Sequence, residues 1–174
     1  KSDNGIFESL QFPLEHPKLY DKKTGETQWC SGCCCLFPNK VFESLGGFDE
    51  RFFMYVEDVD LSWRARMAGY NCYTVNKGLF SHSEFSLDRN QKSQPRKNMM
   101  IKSSYKLAKK YNHKPWINKF GKKLKFILNE SEYKAFIDQC DLEFTKEILS
   151  NKPPMSAIAN FNNGLFFSKT KWKI

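Results

Sequence analysis

The sequence has no long hydrophobic run: nowhere does it approach the about 20 consecutive apolar residues that span a bilayer. It also shows no signal peptide, so we expect a cytoplasmic protein. A hydrophobic content of 40% and an aromatic content of 16% are typical of a folded domain rather than a disordered chain. Because the chain begins with Lys1 rather than Met, we expect it to be part of a longer protein.

The sequence lacks the spaced cysteine pairs of a disulfide framework or a complete zinc site. Four of the six cysteines lie almost side by side in "WCSGCCCLF", at Cys30, Cys33, Cys34 and Cys35. Their Cys-x-x-Cys spacing could supply half of a zinc site, but no second pair follows. The histidines are not arranged to complete one either (His16, His82 and His113). We therefore predict a buried strand over residues 29–37, with cysteine as a small hydrophobic residue in a reducing compartment.

Acidic residues are missing from one long segment. Residues 92–125, with Lys92 and Lys125 at the ends, contain twelve Lys or Arg and no Asp or Glu, whereas the whole chain has a net charge of +9. Apolar residues recur there at helical spacing and lysines fall on the opposite side, which predicts an amphipathic helix. Further helices are expected over residues 116–128 and from Asn129, where Glu132 completes a variant of the capping box.

This basic segment admits two interpretations. Lysine-rich amphipathic helices adsorb to anionic membranes, and basic segments with interleaved Tyr and Trp also occur in nucleic-acid-binding modules. No helix-turn-helix, zinc-finger or RNA-recognition signature accompanies the lysines. We therefore favour an anionic membrane surface over nucleic acid as the partner of residues 92–125.

The middle of the chain reads as helix, loop, helix, strand. "PNKVFESLGG" predicts a helix with Asn39 as N-cap and Gly46 as its stop, and "DVDLSWRARMAG" predicts a second helix that ends at Gly69. "YNCYTVNKG" alternates like a strand, and residues 1–28 are rich in turns. This order indicates an α/β domain, or the latter half of one.

Three carboxylates, Glu57, Asp58 and Asp60, crowd behind the aromatic run "FFMY". One acidic residue at a helix start needs no function, because the helix dipole favours it there. Adjacent carboxylates repel each other, however, and such pairs are typical where one accepts a proton and another holds a polar ligand. The spacing of the three carboxylates is compatible with a capping cluster and with a functional site, and it does not decide between them. We expect Asp60 to be structural, through capping or through pairing with Arg64 four residues later.

Several motifs in residues 29–83 occur together and in order: a tryptophan before Ser-Gly, then "GGFDERFFMYVEDVDL", "GY" and a histidine after a strand. In this the chain resembles the second half of the catalytic domain of family 2 glycosyltransferases, closest to the bacterial rhamnosyltransferase-like branch. The basic helix over residues 96–111 is also similar to the helix that follows in those enzymes.

The resemblance implies a GT-A fold of the α/β class, in which a nucleotide sugar and a divalent metal, Mn²⁺ or Mg²⁺, lie beside an inverting acceptor site. It implies that Asp58 is the general base and that Glu57 positions acceptor hydroxyls or supports the base. His82 matches a histidine that contributes to the metal site in some relatives.

Trp29, Ser31 and Gly32 match the strand start that lines the sugar pocket in similar enzymes. Trp29 could stack on a sugar or simply pack in the core. We expect the aromatic run to form the wall behind the carboxylates, through Phe52, Phe53 and Tyr55, and we expect Tyr55 to contact the substrate.

The chain departs from the family at one point: it has no Asp-x-Asp motif that matches the family's and none of the strand–helix repeats that bind the nucleotide. We therefore expect residues 1–90 to be the C-terminal, acceptor-side part of the catalytic domain and residues 91–150 a basic helical extension. Residues 151–174 form a tail that we cannot assign.

The expected function is transfer of a sugar to a hydroxyl of a saccharide or lipid-linked saccharide in bacterial envelope polysaccharide synthesis, at the inner face of the cell membrane. We do not expect this chain to turn over a donor alone. A non-catalytic remnant that binds a partner is a third interpretation.

Overall fold

The computed structural model describes residues 4–12, 18, 20–82 and 94–144. These residues form two compact units: the first contains the described residues up to 49 together with 58–82, and the second contains 50–57 and 94–144. The boundary between the units falls within the carboxylate pair. Residues 50–57, which end with Glu57, belong to the unit of helices, whereas Asp58 belongs to the unit that contains the sheet. The predicted tail at 151–174 and the histidine at 16 lie outside the described residues.

The first unit contains a four-stranded sheet. Its strands are β1 (Gly5–Phe12), β2 (Glu26–Thr27), β3 (Cys35–Leu36) and β4 (Asn71–Ser81), in the order β2-β4-β1-β3. β1 and β4 pair in parallel, whereas β2 and β3 add antiparallel to the two edges. The sequence predicted β4 but not β1.

The sequence missed β1 because this strand buries polar side chains. Glu8 and Gln11 are both buried in it, so the strand lacks the alternation of apolar and polar residues that marks a half-buried strand. Its apolar contribution to the core comes from Ile6.

Two helices pack with this sheet. α1 (Asn39–Ser44) has Pro38 as its N-cap, one residue before the predicted Asn39, and a left-handed Gly46 (φ +71°) ends it as predicted. α2 (Glu57–Met67) is also confirmed, with Gly69 in a left-handed conformation after its last turn. The buried core joins both helices to the sheet through Ile6, Cys30, Val41, Leu61, Ala65 and Cys72.

The predicted strand over residues 29–37 is wrong. A short 3₁₀ helix occupies Gly32–Cys34, and only Cys35–Leu36 pairs with the sheet. Cys30 is buried as a small hydrophobic residue, as expected, but Cys33 and Cys34 are exposed. The loop departs from a strand because its backbone N–H groups are bound by side chains from elsewhere in the unit, as described below.

Arg64 connects α2 to the end of α1. Its Nε donates to Asp60 Oδ2 (2.8 Å), which confirms the predicted pair, and its two Nη groups donate to the carbonyls of Leu45 (2.6 Å) and Gly47 (2.7 Å). Asp60 is fully buried. One guanidinium therefore neutralises a buried carboxylate and binds two carbonyls of the turn that follows α1.

The second unit consists of α3 (Gln94–Lys110), α4 (Lys114–Ile127) and α5 (Glu130–Phe144), together with residues 50–57. Its buried side chains include Tyr105, Leu107, Phe120, Leu124, Cys140 and Phe144. The predicted capping box at α5 is confirmed: Asn129 N–H donates to Glu132 Oε2 (3.0 Å), and Glu132 N–H donates to Asn129 Oδ1 (2.9 Å). Among the described helices, none has the length and apolar character needed to cross a membrane.

The Arg64 contacts generate a stability prediction. Arg64→Met removes the Arg64 counterion of the buried Asp60 charge, so we expect the free energy of unfolding to fall by about 3–5 kcal/mol. Arg64→Lys keeps the charge but loses the forked geometry, so it should recover only part of that loss. Urea unfolding followed by tryptophan fluorescence measures both. Lys40→Met, at an exposed position of α1, is the control, and a loss for Arg64→Met no larger than the control's would contradict the assignment.

Candidate active site

Side chains from elsewhere in the first unit hold each residue of the loop 29–32. Two of these bonds come from β1 and the segment after it, and two come from the first turns of α2. They join Lys18 Nζ to the Trp29 carbonyl, Cys30 N–H to Ser62 Oγ (3.0 Å), Ser31 N–H to Glu8 Oε2 (2.5 Å) and Gly32 N–H to Asp58 Oδ2 (2.8 Å). The loop therefore has a backbone position fixed relative to Asp58.

A buried ion pair supports this loop. Glu8 and Lys18 form a salt bridge with both side chains only 4% exposed, and Thr74 Oγ1 donates to Glu8 Oε1 (2.6 Å). The Lys18 ammonium also lies 4.7 Å from the centroid of the Trp29 ring, within cation–π range. Burial raises the pKa of Glu8 above its ordinary value, and the charge of Lys18 opposes that rise.

Asp58 lies in the first turn of α2, where two backbone N–H groups reach its carboxylate. Oδ2 accepts from Gly32 (2.8 Å) and Oδ1 accepts from Val59 (2.8 Å). Charge-assisted bonds of this kind stabilise the ionised form, as does the positive end of the helix dipole. A carboxylate oxygen has more than one acceptor site, so a group of this kind can accept from several donors at once.

The residue that donates to Asp58 Oδ2 is a glycine, so no side chain at position 32 lies against this carboxylate. Gly32 lies at the surface, and a Cβ added there would lie 3.7 Å from Asp58 Oδ2 and 3.4 Å from Asp58 Cβ. A side chain at this position would therefore start in van der Waals contact with the Asp58 side chain. The resemblance implied a glycine that permits close approach, and the geometry is compatible with that role.

Glu57 has a different environment from Asp58. Its Oε2 is buried and has no hydrogen-bond partner among the described residues, and burial raises the pKa of its carboxyl group. The two residues before it, Tyr55 (φ +67°) and Val56 (φ +66°), are both left-handed, which is a strained conformation for a β-branched residue. Strain of this kind persists where surrounding contacts enforce it, and it is concentrated at functional sites.

The residues just before this left-handed pair are bonded to α3 and α5. Ser103 Oγ donates to the carbonyl of Met54 (2.6 Å), and Lys106 Nζ donates to the carbonyl of Arg51 (3.1 Å). The Arg51 side chain in turn donates to the carbonyl of Glu143 (3.0 Å). α3 and α5 therefore hold the segment that leads into the carboxylate pair, a role that the sequence did not reveal.

The aromatic run divides into buried and exposed members. Phe52 is buried, with its ring centroid 6.2 Å from that of Phe144 and the Lys110 ammonium 5.6 Å from its own centroid. Phe53 is 84% exposed, so the expectation that it belongs to a packed wall is wrong. Tyr55 is half-buried, and its contact with substrate stays a prediction.

Trp29 and Ser31 are buried in this conformation, in contrast to Gly32. Trp29 is only 3% exposed, which favours the core-packing alternative over sugar stacking. Ser31 caps the 3₁₀ helix, where its Oγ accepts from Cys33 N–H (3.4 Å). Of the three residues predicted to line the sugar pocket, only Gly32 lies at the surface.

His82 follows the last residue of β4. Its backbone N–H donates to the carbonyl of Phe12 (3.0 Å), and its ring lies near that of Phe80. In the part of the chain that the structure describes, no three His, Cys, Asp or Glu side chains cluster as metal ligands would. The predicted metal role of His82 would therefore need other ligands from outside that part, and we derive no chemical step through a metal.

Comparison with known proteins identifies relatives over part of the chain. Over 66 residues it is 42% identical to the N-acetylglucosaminyl-diphospho-decaprenol L-rhamnosyltransferase of Mycobacterium tuberculosis, a match that covers 37% of this chain and 22% of that protein. Over 47 residues it is 40% identical to rhamnosyltransferase WbbL of Escherichia coli, covering 27% of this chain and 18% of the relative.

A third relative is the O-antigen biosynthesis protein RfbC of Myxococcus xanthus, 35% identical over 66 residues, which are 34% of this chain and 5% of that protein. No protein-family model matches the chain. The matches thus span about a fifth of the length of the first two relatives, and less of the third. The named relatives support a glycosyltransferase, over a part of the chain only.

The Glu8–Lys18 pair generates a pH-dependent prediction. Lys18→Met leaves the buried Glu8 carboxylate uncompensated, so we expect a loss of about 3–5 kcal/mol of unfolding free energy at neutral pH. The variant removes the main influence that lowers the pKa of Glu8, so the folded-state pKa rises further. A raised folded pKa gives stability that is present at low pH and lost as the pH rises through that pKa. The difference in unfolding free energy between Lys18→Met and wild type should therefore shrink at acidic pH, where Glu8 is protonated in the folded and in the unfolded state.

Urea unfolding at acidic and neutral pH measures this difference, with Lys23→Met in the exposed turn as the control. Adding Glu8→Gln to Lys18→Met should restore part of the loss at neutral pH, because no buried charge remains and the amide can still accept from Ser31. A loss for Lys18→Met that does not change with pH would contradict the assignment.

Proposed function

We propose that this chain is the acceptor-side part of an inverting, family 2 glycosyltransferase with a GT-A fold. It moves a sugar from a nucleotide-sugar donor to a hydroxyl of a saccharide or lipid-linked saccharide in bacterial envelope polysaccharide synthesis. The observation that carries the proposal is the Asp58 carboxylate, fixed by the N–H groups of Gly32 and Val59 beside an uncovered glycine. The names of the relatives favour a rhamnosyl donor.

In the proposed reaction, Asp58 is the general base. The acceptor hydroxyl gives its proton to the Asp58 carboxylate while its oxygen forms the new bond to the anomeric carbon. The bond from that carbon to the diphosphate oxygen breaks on the opposite side, and the nucleoside diphosphate leaves with the electron pair. One ionised carboxylate within hydrogen-bond reach of the nucleophile is sufficient for such a single displacement.

Glu57 has a second, distinct role in this proposal. Its buried Oε2 and raised pKa make it a group that can accept from a sugar hydroxyl when ionised or donate when protonated. Two carboxyl groups with different environments can thus divide proton transfer and substrate positioning between them. Glu57 is accordingly proposed as the residue that orients the acceptor.

Donor binding is proposed to lie outside these residues. A divalent metal, Mn²⁺ or Mg²⁺, would supply charge neutralisation of the leaving diphosphate when bound. The described residues do not identify its ligands, and the assignment of His82 remains tied to the resemblance.

The base assignment is tested in the polypeptide that contains these residues together with the donor-binding part. Release of nucleotide from a panel of UDP-, dTDP- and GDP-sugars, in the presence of acceptor, identifies the donor. Asp58→Asn retains an acceptor for the Gly32 N–H but cannot take a proton, so we expect kcat to fall about 10²–10⁴-fold with little change in donor KM.

Asp138→Asn, at an exposed position of α5, is the matched control and should leave kcat unchanged. The 174-residue chain alone should release no nucleotide. Equal turnover by wild type and Asp58→Asn would remove Asp58 from the mechanism, and turnover of no donor by the wild type would favour the non-catalytic interpretation.

A further inference from the structure

The outward face of α4 (Lys114–Ile127) combines dense positive charge with one exposed aromatic ring. The helix contains no acidic residue, and all five of its lysines are exposed (Lys114, Lys119, Lys122, Lys123 and Lys125). Phe126 is 90% exposed. At about 100° of rotation per residue, Phe126 lies between Lys119 and Lys122 on the side opposite the buried Phe120 and Leu124.

The lysines of α3 differ because several of them are used within the unit. Lys106 pairs with Glu143 (3.3 Å), Lys109 pairs with Asp141, and Lys110 is buried. Those charges are neutralised or withdrawn from solvent. The basic segment is therefore not one uniform surface, although its sequence suggests one.

The lysines of α4 retain their charge at the surface. The contacts they make are with aromatic faces: Lys119 over Trp116 (5.2 Å), Lys123 over Phe120 (5.5 Å) and Lys125 over Tyr133 (5.4 Å). A cation–π contact orients an ammonium group without neutralising it. The exposed lysines of α4 thus form a positively charged face that includes Phe126.

We propose that this face of α4 binds a membrane surface rich in anionic phospholipid headgroups. Phe126 enters the boundary between headgroups and acyl chains, and the surrounding lysines contact the phosphates while their stems cover apolar surface. A helix of this kind lies flat on the membrane. Each basic residue near an anionic surface strengthens binding about fivefold.

Two features favour lipid over nucleic acid as the occupant. Single-stranded nucleic acids are bound in grooves by several stacked aromatic rings, whereas Phe126 is one ring on the convex surface of a helix. α4 also contains no arginine, the side chain suited to bidentate recognition of phosphates and bases. Lysines around a single apolar ring suit a diffuse anionic interface.

The test uses the 174-residue chain and does not depend on the proposed sugar transfer. Sedimentation with phosphatidylcholine vesicles, with or without phosphatidylglycerol, should show binding only to the anionic vesicles, weaker at high salt. Phe126→Ser should weaken binding at least tenfold, because a buried phenyl ring is lost. Lys119→Gln combined with Lys122→Gln should weaken it about 25-fold, from the fivefold effect of each lysine.

Matched control variants distinguish binding by this face of α4 from a general effect of losing an exposed apolar residue or two positive charges. Leu142→Ser removes another exposed apolar residue, from α5, and Lys22→Gln with Lys23→Gln removes two exposed charges from the turn before β2; neither should change binding. Absence of binding to anionic vesicles, equal binding to both vesicle types, or equal effects of the controls would overturn the proposal. Tighter binding to single-stranded RNA or duplex DNA, lost in the same variants, would overturn it in favour of nucleic acid.

Discussion

The buried ion pair between Glu8 and Lys18 is the interaction on which the candidate site depends. Both charges lie away from water, which is costly unless each is paired and hydrogen-bonded. Here the unused hydrogen-bonding capacity of the pair is satisfied by the Trp29 carbonyl, the Ser31 N–H and the Thr74 hydroxyl. The pair thereby fixes the loop whose next residue, Gly32, binds the proposed base. The buried Glu8–Lys18 pair thus contributes, through this loop, to the position of Asp58.

The proposed acid–base chemistry depends on two carboxylates that follow each other in sequence but experience different constraints. Asp58 accepts backbone N–H bonds on both oxygens, which suits a group that stays ionised until a substrate proton arrives. Glu57 follows two left-handed residues and has a buried oxygen. The segment before it is held by Ser103 and Lys106 of α3. The helices of the second unit therefore hold residues 51–54 of the same unit, in addition to presenting the exposed lysines of α4.

The sequence predicted the features that depend on neighbours in the chain. Gly46 as the stop of α1, the reciprocal Asn129–Glu132 cap and the Asp60–Arg64 pair one helical turn apart are local signals, and the structure confirms them. It failed where the partner is distant. Strand β1 was hidden because Glu8 is buried against Lys18 and Thr74. The strand predicted over residues 29–37 was wrong because long-range side-chain bonds hold the backbone of residues 29–32, and only Cys35–Leu36 pairs with the sheet. Nor could spacing distinguish the lysines of α3 used internally from those of α4 left at the surface.

The most direct test of the account concerns the hydrogen bond from Gly32 N–H to Asp58. The account predicts that, in a ¹H–¹⁵N NMR titration of the chain, the Gly32 amide proton resonates downfield at neutral pH and moves upfield as Asp58 is protonated in acid. It also predicts slowed exchange of this amide with solvent despite its surface position. Asp58→Ala should abolish both effects, while Asp138→Ala should preserve them. A Gly32 amide that exchanges like an exposed loop and ignores the Asp58 substitution would contradict the placement of the proposed base.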